Sequence, residues 1–218
     1  MLNYSVAELR FMRKVLFLFI MALTFQIEVA AQQASEEQAR REISHVAAGL
    51  NSMKCDFIQT KQLKMLRDKM ISKGKMYYQQ GNKLRWEYES PYSYVFVLNG
   101  SKVVLKNNAR NDVIDVNQNK LFREIVRIMM NTVVGKCMTD DKDFKVSVNV
   151  LSSEYVATMT PLRKDLKQMF ASIVLHFNRH SKMVSQVELL EKNGDKTLIE
   201  LKNVQTNVAI PYNIFAVN

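Results

Sequence analysis

The stretch that decides the fold is Lys69–Asn108, which reads KMISKGKMYYQQGNKLRWEYESPYSYVFVLNGSKVVLKNN. It contains four short runs with strand character: Met70–Gln79, Lys83–Glu89, Tyr94–Leu98 and Lys102–Lys106. Turn-forming pairs separate these runs: Gly81-Asn82, Ser90-Pro91 and Asn99-Gly100. Asn-Gly between two alternating apolar runs is a strong hairpin signal, because both central residues of a type I′ turn need φ > 0. The stretch therefore predicts an antiparallel meander.

The second of these strands gives the meander one apolar face. Because successive side chains of a strand point to opposite faces, Leu84, Trp86 and Tyr88 share one face. Arg85 and Glu87 lie on the other face. An apolar face must be covered in a folded protein, so the function depends on what lies over it.

The N-terminal residues 1–31 have the pattern of a cleaved signal peptide. A basic segment precedes the apolar run Val15–Phe25, and the small residues Val29-Ala30-Ala31 follow it where a signal peptidase cuts. The apolar run is too short to span a bilayer, which takes about 20 residues. We therefore expect an exported protein with a single domain over residues 32–218.

The chain is basic, with 31 Lys and Arg against 21 Asp and Glu and a net charge of +10. The basic residues are scattered and mostly alternate with apolar residues on the predicted strands, which is typical of a solvated outer face. The alternative is that they attract the protein to an anionic membrane surface or to an acidic partner. Export of the chain argues against nucleic acid as a partner.

Two segments have the period of amphipathic helices. In Ser35–Leu50, Ser35 and Gln38 form a capping box, and apolar residues follow at helical spacing. In Asn119–Val134, an apolar stripe lies opposite a charged side, and Gly135 is placed to end the helix. Two helices cannot cover both faces of a large sheet, so we predict that they lie together on one side as a lid.

The remaining segments favour strands. From Met53 to Lys61 the apolar period changes to two. Further strand runs follow over Asp112–Val116, Phe144–Leu151, Glu154–Thr160, Phe170–Phe177, Lys182–Glu191 and Lys196–Lys202. Many short strands with regular turns are typical of an antiparallel barrel. The sequence thus predicts a mainly β fold, an unclosed antiparallel barrel or curled sheet of about ten or eleven strands, whose helical lid encloses a hydrophobic cavity.

No catalytic or metal-binding pattern is present in the sequence. The i, i+4 pair His176 and His180 falls on a strand and a turn rather than on a helix, and no third ligand accompanies it. The chain has no G-x-S-x-G elbow, no phosphate-binding glycine loop and no H-E-x-x-H motif. We therefore predict a protein that is not an enzyme and that holds no cofactor or metal.

The two cysteines, Cys55 and Cys137, have two interpretations. Export places them in a compartment that permits disulfide bonds, and an even number of cysteines favours pairing. Each cysteine also lies among apolar residues, where a thiol packs as a small hydrophobic side chain. The sequence leaves both interpretations open.

Methionine is abundant, with 13 residues in the chain. Methionine usually fills a core, but flexible thioethers also line cavities that accept variable apolar shapes. A wide, open sheet covered by two helices encloses more space than a small closed barrel. Burying a fatty-acyl chain in such a space gains about 0.8 kcal/mol per methylene and needs no specific polar group.

Several features together resemble the LolA family of periplasmic lipoprotein carriers. They are an early amphipathic helix in an exported chain, Phe57-Ile58-Gln59, the motif KLRWEYESP over Lys83–Pro91, and YVFVLNGSKV over Tyr94–Val103. The resemblance implies an unclosed antiparallel barrel capped by helices. It also implies a cavity that receives the acyl chains of a lipoprotein from an inner-membrane ABC transporter complex and delivers them to an acceptor at the outer membrane.

The resemblance also implies which residues contact lipid. It places Leu84 and Trp86 at the cavity mouth with Tyr88 beside them, and it makes the helix Asn119–Val134 part of the lid. With the apolar face of the sheet and the stripe of this helix, the predicted lipid-binding residues are Phe57, Leu84, Trp86, Tyr88, Tyr94, Phe96, Leu98, Leu121, Phe122, Ile125, Ile128 and Met129. We expect the carrier to act as a monomer.

One departure from the family concerns the lid. Members of the family carry an arginine several residues before the tryptophan, and this arginine latches the lid by hydrogen bonds. Here the corresponding region is Gln79–Asn82, followed by Lys83 and Arg85, and Arg85 points to the face opposite Trp86. The sequence therefore does not identify the residue that latches the lid.

Two alternatives to a lipoprotein carrier stay open. Acyl chains look alike to an apolar wall, so the same cavity would also carry another amphiphile, such as a glycolipid or a lipid-linked precursor. A non-carrier envelope sensor or scaffold of the same fold would bind a protein segment instead. The non-carrier alternative predicts an interior filled by the protein's own side chains.

Overall fold

The computed structural model describes residues 32–66, 68–118, 120–139 and 142–217. The predicted signal peptide, residues 1–31, lies outside these ranges. Over the described ranges the chain forms eleven strands, which make one antiparallel sheet, and three α-helices. The sequence predicts a mainly β fold with an unclosed sheet and a helical part. The open eleven-stranded sheet and its helices confirm this prediction.

The predicted strands all form, with ends that differ by a few residues. The strands are β1 (Ser52–Gln62), β2 (Lys69–Gln79), β3 (Lys83–Ser90), β4 (Tyr94–Asn99), β5 (Lys102–Asn107), β6 (Asn111–Asp115), β7 (Phe144–Val150), β8 (Glu154–Pro161), β9 (Phe170–Asn178), β10 (Val184–Glu191) and β11 (Lys196–Thr206). The helices are α1 (32–48), α2 (Lys120–Val134) and α3 (Lys164–Met169). The short helix α3 was not predicted from the sequence.

The sheet consists of two meanders joined in the middle. The strand order is β6-β5-β4-β3-β2-β1-β11-β10-β9-β8-β7, and every neighbouring pair is antiparallel. Strands β6 and β7 are the two edges, and the chain passes from one edge to the other through α2. This connection places α2 across the open side of the sheet.

Helix α1 covers the edge strand β7. The carboxylate of Glu36 accepts a hydrogen bond from the backbone N–H of Val148 at 3.1 Å. The guanidinium of Arg40 donates to the carbonyl oxygen of Val146, and also to that of Met138 at 3.0 Å. These bonds satisfy backbone groups that an uncovered edge would offer to another strand. The predicted capping box at Ser35 is wrong, because the helix is already present at residue 32.

The hairpins of the first meander form with different turn geometries. Gly81 and Asn82 both have positive φ values, 86° and 57°. In the β4–β5 hairpin, only Gly100 has a positive φ, 65°, as the first central residue of a type II′ turn requires. The Asn99-Gly100 pair therefore marks the hairpin correctly, but it does not occupy the two central positions of a type I′ turn.

The outer face of the first meander is covered by the C-terminal segment, residues 207–217. Phe215 is completely buried and packs with Val95, Val97 and Val104. The side-chain amide of Asn99 donates to the carbonyl oxygen of Phe215 at 3.0 Å. The sheet is thus covered on both faces in this region, by the C-terminal segment outside and by the core inside.

Candidate binding cavity

A cavity of about 370 Å³ lies between the inner face of the sheet and the helices α2 and α3. Its described walls are formed by Gln59, Trp86, Tyr88, Tyr94, Phe96, Ile128, Met129, Thr132, Leu166, Met169, Phe170, Ile173, Val187, Leu189 and Ile199. No charged side chain is among these residues. An apolar wall of this kind binds hydrocarbon without ionic recognition.

The cavity exists because the sheet curls strongly. Trp86 of β3 and Ile173 of β9 line the same cavity, although four strands lie between β3 and β9 in the sheet. In a flat sheet with strands about 4.8 Å apart, five strand spacings would separate them by about 24 Å. The two halves of the sheet therefore face each other across the cavity.

An aromatic cluster forms one wall of the cavity. The ring centroids of Phe57 and Trp86 lie 4.6 Å apart, and the Tyr88 ring stands edge-on to Phe57 at 5.2 Å. Tyr94 extends the cluster at 6.2 Å from Tyr88. A Cβ atom at Gly74 of β2 would lie 1.8 Å from the backbone oxygen of Glu87 and 2.8 Å from the Phe57 ring, so only glycine fits between β3 and this cluster. Mutual packing holds these rings in fixed positions.

Few polar atoms face the cavity. The hydroxyl of Tyr88 donates to the side-chain oxygen of Gln59 at 3.0 Å, and burial raises the pKa of Tyr88. The indole nitrogen of Trp86 and the hydroxyl oxygen of Thr132 are fully buried, and the indole interacts with the Tyr88 hydroxyl and partly offsets the rise in the pKa of Tyr88. The surface that stays open to the cavity is therefore mostly apolar.

The structure brings six of the predicted lipid-binding residues together in the cavity wall: Trp86, Tyr88, Tyr94, Phe96, Ile128 and Met129. Phe57 is 1% exposed and supports Trp86 from behind. The side chains of Leu121, Phe122 and Ile125 lie outside the described part of the structure, so their place relative to the cavity stays a prediction.

The placement of Leu84 at the cavity mouth is wrong. Leu84 is completely buried, and so is Leu98, its partner on β4; both belong to the closed core. Leu84 shares a face with Trp86 and Tyr88, but it lies at the opposite end of β3. Four residues of a strand span about 13 Å, which separates Leu84 from the ring of Tyr88.

The opposite wall was not predicted from the sequence. It comes from α3 and from strands β9, β10 and β11, with Leu166, Met169, Phe170, Ile173, Val187, Leu189 and Ile199 as its residues. Alternation along these strands identifies their apolar faces, but it does not tell which end of each strand borders a cavity. Helix α3 has six residues, too few to show a helical period.

Several of the methionines take one of the two roles considered above. Met53, Met76, Met138 and Met159 fill the closed core, with exposures of at most 1%. Met129 and Met169 instead line the cavity. Thioethers therefore occur both as filler and in the cavity wall, where their flexibility suits ligands of variable shape.

A cluster of ion pairs fastens α2 next to the cavity. Glu124 and Arg127 of α2 meet Arg163, which precedes α3, and Asp143, which precedes β7. The Glu124 carboxylate lies 2.8 Å from each of the two guanidinium groups, which hold the pKa of Glu124 below its ordinary value. Asp143 is 3% exposed and pairs with both arginines. This cluster links the lid to two other elements.

The cysteines offer no reactive site. Cys55 and Cys137 are both buried, and no disulfide bond joins them in the structure. Burial raises the pKa of Cys55 to about 12, so its thiol stays protonated at neutral pH. Among the described residues, no group of three or more His, Cys, Asp or Glu side chains is arranged to hold a metal ion. None of the described helices is both long and apolar enough to cross a membrane.

Comparison with known families decides the membership of the chain. Residues 48–218 match the family described as "Outer membrane lipoprotein carrier protein LolA". The chain belongs to the LolA family. The resemblance that the sequence motifs indicate is thereby confirmed. No curated protein matches the chain.

Solved structures resemble this LolA family member at low sequence identity. An uncharacterized conserved protein from Thermus thermophilus is 9% identical, with 80% of this chain and 91% of that chain covered and a TM-score of 0.51. A LolA superfamily protein from Nitrosomonas europaea is 8% identical, with coverages of 81% and 96% and a TM-score of 0.42. The lipoprotein LppX from Mycobacterium tuberculosis is 12% identical, with coverages of 79% and 96% and a TM-score of 0.45. The first of these likenesses shows the shared fold.

Proposed function

We propose that this LolA family member is a periplasmic carrier that binds the acyl chains of lipoproteins in its cavity and moves them from the inner to the outer membrane. The observation that carries the proposal is the cavity of about 370 Å³ between the curled sheet and α2 and α3, whose described lining residues include no charged side chain. Eight buried methylenes would contribute about 6 kcal/mol, which is enough for reversible binding. The family's description as a lipoprotein carrier supports the choice of cargo.

The remaining parts of the proposal concern the route of the protein. Residues 1–31 act as a signal peptide, and residues 32–218 form one lipid-binding domain that works as a monomer. An inner-membrane ABC transporter complex loads the cavity, and an acceptor at the outer membrane empties it. The protein catalyses no reaction, and binding is moderate because release must be downhill.

A second candidate is a carrier of another amphiphile, such as a glycolipid or a lipid-linked precursor. The cavity volume favours it, because about 370 Å³ lies near the lower end of the usual range of about 300–1,000 Å³ for ligand sites. A cargo with one chain fits such a volume without further opening, whereas a lipoprotein with several chains requires α2 to move outward. The open cavity does not support the other alternative, which is a sensor or scaffold whose interior is filled by its own side chains.

Lipid extraction and native mass spectrometry of the protein purified without detergent test the proposal. We expect acylated lipoprotein as the bound species, and a glycolipid or precursor would favour the second candidate. Met129→Glu places a charge in the cavity wall and should abolish uptake of a fluorescent fatty acid. Arg123→Glu, at an exposed position of the same helix, is the matched control. Equal uptake by the two variants would contradict the cavity as the binding site.

A further inference from the structure

The described residues of the β1–β2 hairpin tip, 63–66 and 68–71, expose several large apolar side chains. Met65 is 95% exposed, Leu66 54%, Met70 48% and Ile71 55%. Nine large apolar side chains are exposed in the described chain, and these four lie within seven consecutive positions. Large apolar side chains on a soluble surface are normally scattered singly, so a cluster marks an interaction site.

Basic residues surround this apolar tip. Lys64, Lys69 and Lys73 are exposed, and within the described part of the chain no carboxylate pairs with them. From 64 to 73 the sequence KMLRDKMISK carries four basic residues and one acidic residue, a net charge of +3. Apolar side chains at a tip with lysines around them have the composition of a segment that lies in a membrane interface.

The described residues on either side of position 67 are joined to the sheet. The ladder between β1 and β2 continues to its last pair, Gln62 with Lys69. Beyond that pair, the backbone N–H of Lys64 donates to the carboxylate of Asp195 in the β10–β11 turn at 2.8 Å. These bonds place the base of the hairpin beside the β10–β11 turn.

The hairpin tip and the cavity lie at the same end of the sheet. The cavity-lining residues Gln59 and Tyr88 lie within three residues of the ends of β1 and β3, and Tyr94 and Phe170 are the first residues of β4 and β9. Because neighbouring strands are antiparallel, these strand ends all lie at the same end of the sheet. At about 3.3 Å per residue, the cavity begins about 10 Å below the base of the hairpin.

The β3–β4 turn adds an aromatic residue at this end. Tyr92 is 53% exposed, and its ring lies 6.5 Å from the ring of Tyr88 in the cavity wall. Tyrosine has an apolar ring and a polar hydroxyl, and it is therefore enriched where a protein meets the interface of a membrane. Tyr92 thus links the cavity wall to the surface that carries the hairpin tip.

We propose that the β1–β2 hairpin tip binds the surface of an anionic lipid bilayer and turns the cavity end of the protein toward that surface. The inference rests on the proposed function in one respect, because a carrier of acyl chains gains from bringing its cavity close to the membrane at which its cargo is loaded or released. The lysines attract anionic headgroups, and Met65, Leu66, Met70 and Ile71 enter the interface. The attraction of the lysines is screened by salt, whereas the burial of the apolar side chains is not.

Co-sedimentation with vesicles tests this proposal on the purified protein. One set of vesicles contains phosphatidylcholine and phosphatidylglycerol, and the other contains phosphatidylcholine alone. We expect binding to the anionic vesicles, weaker binding to the neutral ones, and a loss of at least about tenfold in the partition coefficient for the double variant Met65→Asp/Leu66→Asp. Leu151→Asp, 46% exposed in the β7–β8 turn at the opposite end of the sheet, is the matched control and should bind as the unchanged protein does.

Binding of a fluorescent fatty acid without vesicles separates this proposal from the proposed function. The hairpin variant should keep fatty-acid binding, because none of its changed residues lines the cavity. Vesicle binding that is equal in the hairpin variant and the Leu151→Asp control would overturn the membrane proposal. Absence of binding to anionic vesicles would overturn it too, and a cross-link from position 65 to an envelope protein would then indicate a protein partner. If neither the hairpin variant nor the Leu151→Asp control binds the fatty acid, that result would overturn only the proposed function.

Discussion

Leu84 and Trp86 lie two residues apart on the same face of β3, yet they have different surroundings. Leu84 is completely buried against the core, where it pairs with Leu98 of β4. Trp86 packs on Phe57 and borders the cavity. The position of a residue along the strand, and not only the face on which it lies, decides whether it fills the core or lines the cavity.

Truncation of Leu84 should therefore affect stability and not binding. We expect Leu84→Ala to lower the free energy of unfolding by about 2–5 kcal/mol, because it leaves a cavity in a closed core. Urea denaturation gives this value, and Val113→Ala on β6, where Val113 is 57% exposed, is the control with an expected change of at most about 0.5 kcal/mol. A loss below about 1 kcal/mol for Leu84→Ala would show that the site is less tightly packed than described.

Trp86 offers a direct signal of ligand binding, because it is the single tryptophan of the chain. An acyl chain that enters the cavity displaces water from the surroundings of the indole ring. We expect the fluorescence emission of Trp86 to shift to shorter wavelength on titration with a fatty acid, and Trp86→Phe to remove the signal. An emission spectrum that stays unchanged at saturation, with binding verified by equilibrium dialysis, would place the ligand elsewhere.

At the scale of the elements, side chains rather than backbone hold the lid. Arg163 joins Glu124 of α2 to Asp143 ahead of β7, and Arg127 joins the same two carboxylates from within α2. The latch that the family obtains from an arginine before the tryptophan is absent from that part of this sequence. The ion-pair cluster provides another way to hold α2 over the cavity.

Arg163→Gln should loosen this lid without unfolding the protein. Asp143 keeps its partner Arg127, so the buried carboxylate of Asp143 still forms an ion pair. We expect a loss of about 1–2 kcal/mol in the free energy of unfolding and a faster release of fluorescent fatty acid in stopped-flow dilution. Arg123→Gln, at an exposed position of α2, is the control. Identical release rates for the two variants would mean that the cluster stabilises the fold without acting on the lid.

At the scale of the whole molecule, α1 is fastened to the sheet by Glu42. Its carboxylate lies 2.6 Å from the ammonium of Lys182 and accepts a hydrogen bond from the hydroxyl of Tyr155 at 2.8 Å. Lys182 and then Tyr155 lower the pKa of Glu42 from 4.5 to about 2. A carboxyl group whose pKa is lower in the folded state contributes stability above its unfolded pKa and loses it as the pH falls through the folded pKa.

Glu42→Gln should accordingly change the acid stability of the protein. We expect the variant to be less stable than the unchanged protein at about pH 6, and the difference to shrink as the pH falls from 4.5 toward about 2. Urea denaturation at several pH values measures this difference. The exposed carboxyl group of Glu37 on the same helix provides the control variant Glu37→Gln. A difference that does not depend on pH would assign the effect to packing instead of charge.

The strands and their faces follow from the sequence. Alternation of apolar and polar residues is a local property of the chain, and a residue's face is decided by its neighbours in the strand. For this reason the segments from β1 to β11 are recognisable, and Arg85 and Trp86 are assigned correctly to opposite faces. The amphipathic helices follow in the same way, with the start of α1 misplaced by a few residues.

The tertiary structure alone decided where the candidate binding cavity lies. The opposing walls join Trp86 of β3 to Ile173 of β9, which are distant in the chain and in the order of the sheet. Their approach depends on the curl of the whole sheet, and that curl is not encoded in any single strand. The short helix α3, the ion pairs around Asp143 and the exposed hairpin tip depend on contacts made only after closure. Local patterns fix which face of each strand is apolar, but only the summed twist of eleven strands brings the ends of those faces together around a cavity.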